Sequence, residues 1–364
     1  MPSRQLRASR GRMKKLRRFK RKKDEAAETT GRITNETVAE HREKVLAGGR
    51  RFKYPVQYAK HRLVINTIVI SIVALLLVAV VIWWQLYPAQ NTSKFFYRIT
   101  RVLPLPVAVV DGKVVRYSDY LEGFRSQEHY LQVKEGINLY SKENKAQLNW
   151  FKRQALDDAI ANTYAEKLAA KNNITVTDSE VTDAINRQRQ SRDGTTSEET
   201  YYASVLDYYD WSPDEVREVT KRGLLHQKVA YSVDTVASKL RDQMEEKLKT
   251  ETDFDKVAAA IAPIDGAKVE SSVTPLVPTS NQDGGLAKEA SKLSVGQVSP
   301  VFQSTAGDGY YVVKLLQRDN DRVSYAVLRV PLTVFQKQLE QIKADYKTRE
   351  YISVPEVKSS ITTQ

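Results

Sequence analysis

Few residues in this chain could do covalent chemistry. The 364 residues include no cysteine, which removes disulfides, thiolate metal sites and a thiol nucleophile. Its four histidines, His41, His61, His129 and His226, have no metal-ligand spacing, so no metal and no other cofactor is expected. No GxxxxGK[ST], GxGxxG or GxSxG run occurs, so no phosphate loop, dinucleotide turn or nucleophile elbow is signalled. The remaining chemistry is that of rings and cations. Tyr201, Tyr202, Tyr208, Tyr209 and Trp211 crowd one polar stretch, and Trp150 adjoins Phe151. Exposed rings grip unfolded chains, whereas buried ones are ordinary core, so exposure separates the two readings. Trp150 and Phe151 cannot both face inward from one helix, which predicts one of them at the surface. The cationic group is Arg17, Arg18, Lys20, Arg21, Lys22 and Lys23, packed around Leu16 and Phe19. Such an arm is solvated and attracts anionic lipid when it lies beside a membrane. Nucleic acid or the ribosome is the alternative ligand, with no aromatic interleaving or nucleic-acid fold to favour it.

A membrane is indicated by residues 63–84, 22 residues without a formal charge. As a helix they span about 33 Å, against a hydrocarbon core of about 30 Å. Trp83, Trp84 and Tyr87 at one end and Tyr54 and Tyr58 at the other resemble interfacial belts. Of 57 Lys and Arg, 20 lie in residues 1–62 against 6 of the 44 Asp and Glu, leaving 37 basic and 38 acidic residues elsewhere. That asymmetry predicts an N-terminus inside and the bulk of the chain outside. The long basic region and the long apolar run favour an uncleaved single-pass anchor over a signal peptide.

The elements that must position the rings follow from periodicity. Residues 37–46 predict a short helix ended by Gly48 and Gly49, and residues 91–106 a connector. VAVV, Asp111-Gly112 and KVV predict a hairpin with a type I′ turn. Ser118 is the expected N-cap of the next helix. Apolar residues from Leu148 to Leu168 recur at helical spacing until Asn172 and Asn173. Thr177 to Glu180 and Ser212 to Glu215 read as capping boxes, the second with Pro213 at the first helical position. Helices are also expected at 233–248, from Thr252 onward and near 284–293, and a strand at 308–316.

Three runs, AVVDGKVVRYSDYLEGF, WFKRQALDDAIANTYAEKLAAKNNITVTDSEVTDAI and WSPDEVREVTKRGLLHQKVA, resemble the N-terminal chaperone domain of SurA/PrsA-type foldases. The likeness covers about 106–233, and a single anchor ahead of it is similar to inner-membrane relatives. Residues 233–318 resemble a PpiC-type parvulin rotamase through the Asp253-Phe254 helix, the Leu293 to Ser299 turn and the DGYYVVKLL strand. That family builds its pocket around two histidines. One position falls on Tyr311, making it the candidate catalytic residue; the other falls on Ala326 in VSYAVLRV, a late strand that could fill a missing sheet edge.

The resemblance implies an α+β chain: a single membrane helix, a mainly α-helical chaperone domain and a small parvulin-like α/β domain with an antiparallel sheet. The expected order is a largely disordered basic tail (1–62), the span (63–84), a linker (85–106), the chaperone domain (107–232), the degenerate parvulin-like domain (233–330), a C-terminal helix (331–352) and a disordered tail (353–364). Phe335, Leu339, Ile342 and Tyr346 form one stripe of that last helix, which by the resemblance returns to pack on the 148–168 region; packing within its own domain is the alternative. The function implied is binding of unfolded or newly translocated polypeptide with little or no prolyl isomerase activity. A histidine-free isomerase using Tyr311, Tyr310 and Asp308 is one alternative, and a tether acting through the basic tail is another.

Overall fold

In the computed structural model, residues 34–191 and 194–355 are described; the cations from Arg17 to Lys23 fall outside them. Two compact units divide at Val78. In the first, α1 (Asn35–Leu86) is one helix. The short helix expected at 37–46 does not end at Gly48 and Gly49, and residues 34–62 are not the disordered segment expected of the tail. A helical glycine costs only about 1 kcal/mol relative to alanine, and no residue there takes the left-handed turn that stops a helix. Within α1, His61–Leu86 is long and apolar enough to cross a membrane, and its side chains through Val78 are exposed.

The second unit, Ala79–Gln364, begins in the last turns of α1. Leu86 is fully buried, and its carbonyl accepts the Tyr117 hydroxyl at 2.5 Å. The expected linker is therefore structured: after a turn at Gln90 (φ 47°), α2 (Lys94–Val102) buries Tyr97 and Thr100. Next come β1 (Pro106–Val110) and β2 (Lys113–Arg116), joined by Asp111 (φ 45°) and Gly112 (φ 80°). Both positive φ angles are those a type I′ turn requires. The next helix, α3 (Tyr117–Val133), starts one residue before Ser118, which caps nothing; the N-cap is Arg116, without a side-chain bond.

Beyond it, α4 (Lys145–Asn172) stops at Asn173 in the left-handed conformation, φ 55°. Capping boxes at Thr177 and Ser212 open α5 (Asp178–Gln188) and α7 (Pro213–Val233) as their sequences demand. Between them lie the short strands β3 (Gln190–Ser191) and β4 (Gly194–Thr195) and the helix α6 (Glu198–Tyr209).

The chain then departs through α8 (Thr235–Leu248) and α9 (Phe254–Ala259) into β5 (Glu270–Pro278), α10 (Leu286–Ala290), β6 (Phe302–Gln303), β7 (Gly309–Asp319) and β8 (Arg322–Pro331). All pairings are antiparallel, in the order β5-β8-β7-β6. The VSYAVLRV run is thus an interior strand, and the edge is β5, which its two prolines and exposed Val273 had concealed. Two apolar clusters cover the faces, one joining Leu240, Met244 and Phe254 to Ala326 and Leu328, the other joining Leu286 and Ala287 to Tyr311, Tyr325 and Val327. At Gly309 a Cβ would sit 2.5 Å from the Val330 carbonyl oxygen, so the strand pair admits no side chain there.

Finally α11 (Val334–Ala344) returns, with Phe335, Leu339 and Ile342 in the cluster that holds Leu156, Ile160 and Tyr164. The helix is shorter than expected. Tyr346 lies beyond it at φ 55° and is exposed, and β9 (Thr348–Glu350) joins the sheet as β2-β1-β9. Ile352 and Val354 are buried, so the start of the expected disordered tail is packed. The molecule is mixed helix and sheet, mostly helical, with antiparallel sheets.

Candidate functional site

The rings of α6 divide between core and surface. Ser197 caps the helix by accepting the Thr200 amide, and Asp210 ends it at φ 56°. Tyr201, Tyr202 and Trp211 are half-buried against Val181, Ile185 and Val216, and Tyr201 donates to Gln188 Oε1 at 2.5 Å. These three are mainly packing residues. Tyr208 and Tyr209 turn outward and stack on Tyr130 of α3, with ring centroids 6.2 and 6.3 Å apart. Leu206 beside them is 51% exposed. Tyr130 and Leu206 were invisible in the sequence because α3 and α6 meet only in the fold. Trp150 is the exposed member of its pair, its ring edge-on to Phe151 at 4.8 Å, while Phe151 packs on the core.

Below the ring group is a cavity of about 270 Å³, bounded by Tyr97, Arg125, Leu206, Tyr209, Trp211 and Glu215 among others. Its walls are held by charge. Lys94 and Arg125 donate to the Asp210 carboxylate at 2.7 and 3.2 Å, and Tyr97 donates to Glu215 Oε1 at 2.7 Å. Burial would raise the Glu215 carboxyl, but the Ser212 and Tyr97 hydrogen bonds and the Arg101 charge hold it below the usual carboxylate range. Asp210 and Glu215 are thus held as carboxylates by these partners. The paired charges fix the shape of the surface on which the rings sit.

Tyr311 lies in a different place, lining a groove of about 620 Å³ with Glu270, Asp283, Tyr325 and Arg329. Its hydroxyl donates to Asp308 Oδ2 at 2.7 Å, and the same carboxylate accepts Ser304 at 2.6 Å and Arg329 at 3.1 Å. Burial, followed by the adjacent Asp308 charge, raises the Tyr311 phenol far above its ordinary value. It therefore stays protonated and acts as a donor. Tyr311 pairs with Arg329 across β7 and β8. Ala326 is three residues away on β8, and strand alternation puts it on the other face. Tyr311 and Ala326 indeed belong to the opposed clusters, so these two positions do not converge on one pocket.

Among the described residues no group of three His, Cys, Asp or Glu side chains could hold a metal ion. The exposed rings of α6 and Trp150 lie on a helical scaffold that can be compared with known proteins. Residues 59–230 match the family model of the SurA-like N-terminal domain, from just ahead of the apolar run to the end of α7. The helical module is thus similar to a SurA-like N-terminal domain over those residues. A comparison with curated proteins gave no match. Among solved structures, the chain is similar to one described with the virulence factor PEB4 and the periplasmic protein Cj1289, two structurally related SurA-like chaperones of Campylobacter jejuni. Identity is 15%, the alignment covers 66% of this chain and 90% of that one, and the TM-score is 0.23.

Proposed function

We propose that the chain is a membrane-anchored chaperone, N-terminus inside, that holds unfolded or newly translocated polypeptides and has little or no prolyl isomerase activity. The observation that carries this reading is the SurA-like domain at residues 59–230. The exposed group of Tyr208, Tyr209 and Leu206, backed by the half-buried Tyr130, supports it, because rings with few rotatable bonds bind many sequences at low entropic cost. Trp150 supplies a second exposed ring. The sheet module is read as a degenerate parvulin-like domain retained as a spacer or peptide surface. An X–Pro rotamase must lower a barrier of about 18–20 kcal/mol, and the Tyr311 hydroxyl, at one family histidine position, is a donor locked on Asp308. His61–Leu86 would be the anchor. The cations Arg17, Arg18, Lys20, Arg21, Lys22 and Lys23 would meet anionic lipid on the inner face.

The test places the full chain, reconstituted in lipid nanodiscs, in the refolding mixture of a protein whose slow phase is limited by X–Pro isomerisation. Suppressed aggregation with an unchanged slow phase is expected. An accelerated slow phase would make the sheet module an enzyme, and no effect on either would remove the chaperone reading.

A further inference from the structure

We propose that the outward face of α2 is a membrane-surface contact that seats in the lipid headgroup region beside the end of the span. This rests on the reading of His61–Leu86 as a membrane helix. The rotation of α2 about its axis is fixed from behind: Tyr97 and Thr100 are buried, and the Tyr97 hydroxyl is bound to Glu215. At 100° per residue the opposite side carries Phe95 and Val102 at its centre, with Arg98 and Ile99 flanking them. Phe95 is 66% exposed and Val102 80%, and Leu103 continues the patch at 47%. The neighbouring Phe96 packs inward, so one of two adjacent phenyl rings is spent on water. Single exposed apolar residues are common, but a large aromatic and a valine on one face of a short helix, with a leucine at its C-cap, form a patch that needs a partner.

Chain geometry indicates which partner. The Ala89 amide donates back to the Trp84 carbonyl at 3.0 Å and the Asn91 amide to that of Gln85 at 2.8 Å. The Asn91 side chain also donates to Gln85 Oε1 at 3.0 Å. Only Thr92 and Ser93 then separate this turn from Lys94. The start of α2 is thereby held close to the last turn of α1, where Trp83 and Trp84 are exposed. Indole rings favour the interface between hydrocarbon and water, and short basic amphipathic helices lie in that same layer. Charge agrees with this placement. Lys94 is paired with Asp210, and Arg101 with Glu215 and Glu218. Arg98 is exposed and has no ion partner among the described residues, which leaves its guanidinium for a lipid phosphate.

The absence of native cysteine makes a test by single labelling direct. Full-length Phe95→Cys, Val102→Cys, Leu76→Cys and Val273→Cys variants would each carry an environment-sensitive fluorophore. They would be reconstituted in phosphatidylethanolamine–phosphatidylglycerol vesicles containing brominated acyl chains. Quenching at 95 and 102 by bromine near the headgroup, at 76 by bromine deep in the bilayer, and none at 273 is the expected pattern. If position 76 is quenched while 95 and 102 are as wet as 273, the proposal fails and the anchor stands. Probes at 95 and 102 that are shielded from water but unquenched would assign the face to a second copy or another protein, again overturning it. An unquenched position 76 overturns the anchor and this inference together.

Discussion

At Tyr311 a hydroxyl that sequence alone could offer as a catalytic group is a structural donor. Asp308 collects Tyr311, Ser304 and Arg329 around one carboxylate, so the phenol has no free role. Tyr311→Phe should lower stability by about 1 kcal/mol in denaturant unfolding, the usual net value of one such bond. It should leave the proline-limited refolding of a client unchanged; a loss of acceleration in the variant would restore the residue to catalysis. His226 belongs to the same scale. Its ring lies 4.5 Å from that of Phe335 with Nδ1 3.0 Å from Asn162 Oδ1, and burial lowers its pKa below the ordinary value. The unfolded chain therefore takes the proton more readily, and stability should fall as pH drops below about 6.5, by no more than about 1.4 kcal/mol per unit. His226→Gln should flatten that part of the stability–pH curve, and an unaltered slope would assign it to another group.

Between elements the decisive residue is Asp234, which is fully buried. One carboxylate oxygen accepts the Ala237 amide at 2.7 Å and caps α8. The other accepts the Thr333 and Val334 amides at 2.6 and 3.0 Å, where the chain comes back into α11. A single side chain thus ties together the exit to the sheet module and the return from it. Asp234→Ala should cost about 3 kcal/mol, combining a lost cap with unmade charge-assisted bonds. Asp234→Asn should recover only part, since its amide nitrogen cannot accept from two backbone donors. Equal stability of all three proteins by urea titration would show that water replaces the carboxylate.

For the whole molecule, the second unit starts inside the last turns of the apolar helix. Leu86, fully buried, packs in the same cluster as Tyr97, Tyr117 and Phe335, and Tyr87 donates to the Pro106 carbonyl at 2.7 Å. A fragment of residues 106–364 should consequently be less stable than one of residues 79–364 by several kcal/mol, since loss of one large core side chain alone costs about 2–5 kcal/mol. Thermal unfolding of the two fragments decides it. Matching midpoints would mean that residues 79–105 contribute little and that the compact unit begins at the hairpin.

Where a few neighbouring residues set the outcome, the sequence was sufficient. The apolar run, the Asp111-Gly112 hairpin, the left-handed stop at Asn173 and both capping boxes each depend on bonds within about four positions, and each formed as its residue types require. The likeness of the helical segment to a SurA-like domain was legible in the same way, through order and spacing. Tertiary contacts decided the rest. Within the segment at 91–106, residues 94–102 form a helix whose Tyr97 is bound to Glu215, 118 positions away. The late strand became interior because β5, with two prolines and little alternation, still paired along it. Register put Tyr311 and Ala326 on opposite faces, and the meeting of α3 with α6 selected Tyr208 and Tyr209 over Tyr201 and Tyr202 as the exposed rings. The physical reason is that local propensity acts through bonds a few residues long, whereas face, edge and exposure are set by partners that the linear order does not place side by side.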